Sequence, residues 1–184
     1  MKNIIIGLAV AIAMTGAAIA SEVNVKGGVD VAGKAKTTTR GHSATSNMNA
    51  GINITGEFLT NVIDIVKVGG GVSFGLPRVA SNTPSGSKGL MLLPIDATVE
   101  ANPISAIPDF FFKGNIGYGF LIPEGKDSTK SGLYYGVGAG YNFPFGLVVD
   151  VLYSWQKTSY KEDSVNTDLS YRKLNINVGY KFKL

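Results

Sequence analysis

Leu174-Asn175-Ile176-Asn177-Val178-Gly179-Tyr180-Lys181-Phe182-Lys183-Leu184 is the stretch on which the fold turns. Apolar side chains take every even position, and Asn, Gly and Lys take the odd ones. A period of two belongs to a strand with unlike faces, because successive Cβ atoms point to opposite sides of a pleated chain. Seven earlier runs repeat the pattern. Working back, the apolar faces read Leu147 to Trp155, Leu133 to Phe143, Phe110 to Ile122, Met91 to Ala101, Val66 to Leu76, Ala50 to Phe58 and Val23 to Ala35, each at alternate positions. None of these positions is charged, whereas the opposite faces carry Glu22, Asp30, Glu57, Asp96, Glu100 and Asp150 with Lys26, Lys34, Lys67, Lys113, Lys173, Lys181 and Lys183. Eight antiparallel strands are predicted. Pro94 interrupts the fourth, where a missing ladder donor predicts a bulge or a late start.

Composition narrows the chemistry. The 184 residues have 16% charged side chains, 24 Gly, one His and no Cys. Such a chain has no disulfide framework, thiolate metal site, Cys nucleophile or lipid anchor on Cys, and a single His excludes a multi-His zinc centre. No metal, cofactor or catalytic residue is expected. His42 and Ser43 are adjacent in a polar segment with no carboxylate between Asp30 and Glu57 to orient the imidazole, so they do not form a hydrolytic pair. Gly69-Gly70-Gly71 opens onto a strand, which excludes a phosphate cradle at a helix start. The net charge of +4 does not imply nucleic-acid binding, since most Lys lie on strand faces or at strand ends.

The chain begins with Lys2, an apolar run from Ile4 to Met14, and the small residues of Ala18-Ile19-Ala20. This is the pattern of a secretory signal peptide cleaved after Ala20. Residues 1–20 are therefore read as an export signal and 21–184 as one domain.

Alternation alone fits either a soluble sandwich, apolar face inward, or a membrane barrel, apolar face on lipid. Two features favour the barrel. The connections alternate between long ones, such as Lys36 to Asn49, Pro77 to Gly89 and Pro123 to Gly132, and short turns. Thirteen of the 18 aromatics lie on the apolar faces and at the ends of the runs. Phe58, Phe110, Phe112, Tyr141, Phe143, Tyr180 and Phe182 mark the short-turn end; Phe74, Tyr118, Phe120, Tyr135, Tyr153 and Trp155 mark the long-connection end. Two such girdles suit the headgroup levels of a bilayer.

The ending Asn177 to Leu184 also resembles the C-terminal signal by which the barrel-assembly machinery selects its clients, with Asn177, Gly179 and Phe182 at matching positions and Leu184 where relatives end in Phe or Trp. In strand number and length the chain resembles the small OmpA, OmpX and opacity-type barrels. The resemblance implies an all-β, eight-stranded, up-and-down transmembrane barrel in the outer membrane of a Gram-negative-type cell. It implies a monomer in contact with outer-membrane lipid and lipopolysaccharide, with an envelope-structural and adhesin-like role and a possible host ligand at its loops. A narrow channel of the OmpW type is the alternative.

Eight strands enclose an interior that side chains can fill. Lys26, Glu57, Lys67, Glu100, Lys113, Asp150 and Lys181 lie near the short-turn rim and are expected to form an ionic plug, within a lumen network that includes Asp30 and Asp96. Towards the other end the inward residues become small, leaving either a vestibule or space filled by Tyr134 and Leu121. Arg78, with Lys36, Arg40 and Lys88, is assigned to cationic loops able to meet polyanions.

Overall fold

The computed structural model describes residues 21–39, 42–78, 89–123, 129–162 and 165–184. The expected signal peptide and the loop charges Arg40, Lys88 and Asp163 lie outside them. Among the described residues nine strands follow one another: β1 (Glu22–Thr39), β2 (His42–Asn47), β3 (Gly51–Ile63), β4 (Val66–Arg78), β5 (Leu90–Ala101), β6 (Phe110–Pro123), β7 (Lys130–Asn142), β8 (Leu147–Glu162) and β9 (Val165–Lys183). Each barrel strand pairs antiparallel with the next, and β1 pairs with β9 from Glu22↔Lys183 to Thr39↔Thr167. That pairing closes an eight-stranded ring of β1 and β3 to β9. The ninth strand, β2, folds back on the upper part of β1 from Lys34↔Asn47 to Thr39↔His42.

The apolar wall faces outward. Val29, Ile54 and Ile116 are 45%, 58% and 62% exposed, while their neighbours Asp30 and Lys113 are 1% and 4% exposed. A water-soluble sandwich would reverse these values.

Short turns have local causes. Pro144-Phe145-Gly146 joins β7 to β8; the Gly146 amide donates to the Phe143 carbonyl (3.1 Å) and Gly146 has φ 88°. A proline at the second turn position followed by a left-handed glycine is the usual three-residue hairpin. Asp64 and Ile65 turn β3 into β4.

Five expectations need correction. The segments at Lys36 to Asn49 and after Lys157 are largely extended hairpins, because β1 runs to Thr39 and β8 to Glu162, with β9 starting at Val165. The register slips between Val31 and Lys34, where Ala32 has φ 50°. This bulge inverts the alternation: Gly33 becomes buried and Lys34 exposed, opposite to the faces read from sequence. A second slip between Gly75 and Arg78 turns Arg78 inward to 6% exposure. No bulge forms at Pro94, which sits in an unbroken pairing with Gly119 on β6. Finally, Lys183 is exposed at the rim.

Candidate functional site in the barrel lumen

The lumen is filled in three layers. Nearest the short turns, inward positions of every ring strand except β7 bring opposite charges together. Lys26 Nζ lies 2.5 Å from Asp150 and 2.6 Å from Glu57. Lys113 also bonds to Glu57 and stands 3.9 Å from Glu100. Glu22 holds Lys67 at 2.8 Å and Lys181 at 3.7 Å. Asn177 donates to Asp150 at 2.7 Å. Four carboxylates and four lysines thus interlock at this level. Glu22 belongs to the layer although the sequence reading left it out of the plug.

Above them, Asp96 has neutral partners: Asn115 donates to it and Thr98 does so at 3.0 Å. Beside this level runs a cavity of about 10 Å³ lined by Asp96, Lys113, Tyr134 and Lys173 among others. It has room for roughly one water.

The third layer centres on Asp30. Lys173 approaches to 2.8 Å, Asn53 donates at 2.8 Å, Asn175 donates as well, and Arg78 Nη1 lies at 3.5 Å. Arg78 also donates to the Tyr171 hydroxyl and, through Nε, to the Asn49 carbonyl at 2.8 Å. Its side chain lies against Gly33 and Gly51, where a Cβ would come within 3.0 Å of it. Asp30 therefore serves an upper cluster, not the rim plug. Arg78 is the supposed loop cation that the structure moves into the lumen; Pro77 beside it was the available signal, since bulges are among the few places a strand tolerates proline. Leu92, Leu121 and Tyr171 pack together at this end, and Tyr134 is 3% exposed. The upper space is filled with side chains.

Charge in the lumen balances. Six carboxylates (Glu22, Asp30, Glu57, Asp96, Glu100, Asp150) face six cations (Lys26, Lys67, Arg78, Lys113, Lys173, Lys181) among the described residues. A narrow interior of low dielectric requires such neutrality.

Outside, aromatic rings cluster at both ends. At the short-turn end Phe110 meets Phe112 at 5.1 Å, Tyr141 meets Phe143 at 5.0 Å and Tyr180 meets Phe182 at 4.9 Å. At the other end Trp155 meets Tyr153 at 4.3 Å and Tyr135 at 5.3 Å. Phe58, Phe74 and Phe120 are partly exposed, and Tyr118 is 61% exposed. Offset and edge-to-face contacts at these distances favour aromatic pairs.

A family model described as the outer membrane protein beta-barrel domain matches residues 5–182. The chain belongs to this outer-membrane barrel family. Solved barrels repeat the fold at low identity. Neisserial surface protein A has a TM-score of 0.54 at 16% identity, over 87% of this chain and 97% of that one. Ail, the attachment invasion locus protein of Yersinia pestis, has a TM-score of 0.51 at 17% identity, over 89% and 100%. OprG from Pseudomonas aeruginosa has a TM-score of 0.50 at 13% identity, over 90% and 97%. A search of curated sequences gives no match.

In an outer-membrane barrel the exposed apolar wall meets acyl chains, and the ring must close on its last strand. Val23 pairs with Phe182, and the Leu184 amide donates to the Ser21 carbonyl at 3.1 Å. Deleting Phe182 to Leu184 removes this end of the seam as well as the residues resembling the assembly signal. The truncated protein should fall strongly in membrane fractions; unchanged levels after quantitative blotting would show that these residues are dispensable for assembly.

Proposed function

We propose that the mature chain is a monomeric, non-enzymatic surface barrel that strengthens the envelope and meets external ligands at its long-connection end. It would be exported by its N-terminal signal and inserted by the barrel-assembly machinery. The observation carrying this reading is the filled lumen. A solute would have to break the Lys26–Glu57–Asp150 layer and then the Asp30–Arg78–Lys173 layer, each held by groups that are costly to leave unpaired in a dry interior. The solved Ail structure with the heparin analogue sucrose octasulfate supports an outward binding role on a related fold.

Liposome swelling tests the reading. Vesicles containing the refolded protein should swell in small sugars and amino acids no faster than protein-free vesicles. Accelerated entry would favour the narrow-channel alternative.

A further inference from the structure

The bulge at Val31 to Lys34 has a chemical result on the outer wall. By inverting the alternation it turns Lys34 and Lys36 outward, where both are exposed. Register then places them beside other cations. Lys34 stands directly across from Arg172, and Arg172 across from Trp155; in the next outward row Ser170 lies between Lys36 and Lys157. Arg172 and Lys157 are exposed too. None of the four forms a salt bridge with a described residue; Asp168, one row further out opposite Thr38 and Ser159, is the nearest acid of the groove.

Neighbouring strands are about 4.8 Å apart and alternate rows about 7 Å apart, so four cations share a patch the size of one phosphate headgroup. Like charges directly across a ladder destabilise a sheet. An anion seated between them removes that repulsion. The patch also has a defined depth. It borders a groove of about 560 Å³ whose inner end is lined by Tyr135 and Trp155, rings of the type that settle at headgroup level. Lys34 and Arg172 point outward from the barrel wall in the row of those rings, and Lys36 and Lys157 one row beyond them. A lipid phosphate occupies that position; a soluble polymer approaching from the loop tips does not.

We propose that Lys34, Lys36, Lys157 and Arg172 form a site for the phosphate of an outer-leaflet glycolipid. The proposal rests on the orientation given under Proposed function, with the long-connection end outside the cell.

Trp155 is the chain's one tryptophan and lines the site, so it reports binding. The full mature barrel is refolded into phosphatidylcholine vesicles doped with diphosphorylated lipid A or with its dephosphorylated form, and Trp155 fluorescence is followed. Diphosphorylated lipid A should give a saturable change that the dephosphorylated lipid does not. In a K34Q/K36Q/K157Q/R172Q variant the half-saturating mole fraction should rise at least about tenfold, because each basic residue at an anionic surface contributes to the attraction. If that variant fails to refold, K36Q/R172Q is measured in the same way and should show a smaller rise in the same direction. Equal responses to the two lipids, or an unchanged midpoint in the variants, would overturn the site. A soluble polysulfated sugar competing fully would reassign it to polyanions outside the membrane. Surface proteolysis of intact cells reads the orientation independently, so a reversed barrel is distinguished from a correctly oriented barrel that lacks the site.

Discussion

Glu57→Gln should lower the unfolding free energy of the barrel by about 3–5 kcal/mol, the effect of removing one partner from a buried ion pair. Glu57 is 4% exposed and is shared by Lys26 and Lys113, themselves 1% and 4% exposed. Removing its charge leaves two buried ammonium groups facing Asp150 at 2.5 Å and Glu100 at 3.9 Å. Lys26 keeps a close counter-ion, whereas Lys113 does not, so the loss falls mainly on Lys113. Asp64→Asn provides the control. Asp64 is exposed in the β3–β4 turn, and the same loss of one negative charge there should stay within about 0.5 kcal/mol. Urea titration of the vesicle-inserted proteins, read by gel mobility without boiling, measures both. Equal effects would mean that the plug adds no more than net charge does.

Val137→Arg should cost about 2–4 kcal/mol in a bilayer. Val137 is 58% exposed and lies midway along β7, paired with Gly114 and Tyr153. A guanidinium there would sit among acyl chains. Val62→Arg, 59% exposed but beside the β3–β4 turn, should cost only about 0–1 kcal/mol, because the penalty falls towards the interface. The difference between two equally exposed valines is the signature of depth. A similar cost at both sites in the same urea titration would place Val137 outside the hydrocarbon.

Most of the fold was legible because lipid and lumen impose opposite demands on alternate residues. Every strand of the ring was readable from that contrast, and an ionic layer including Lys26, Glu57 and Asp150 was expected because charged residues on the inward faces share one closed interior. Legibility failed where the period itself broke. One extra residue at Ala32 reversed the faces of Lys34 and Ala35, and the slip ending at Arg78 drew a supposed loop cation into the Asp30 cluster. The upper hairpins were also hidden. Beyond the membrane both faces meet water, so Thr37 to Thr39 and His42 to Asn47 are polar on each side and lose the alternation that betrays a strand. Pro94 misled for another reason. The ladder to β4 lacks rungs at Pro94 and Leu93 but resumes at Leu92 in the same register, so the missing amide proton interrupts one ladder without producing a bulge.

The junction of β1 with β9 makes the molecule a hoop. A linear sheet can fray from its outermost member, releasing hydrogen bonds one at a time; a hoop has no outermost member. Departure from the membrane therefore requires a whole staircase of bonds to rupture before any compensating contact with solvent is gained. The lifetime of the inserted protein is governed by that rupture rate, and its persistence in harsh detergent would reflect kinetics rather than depth of the free-energy minimum.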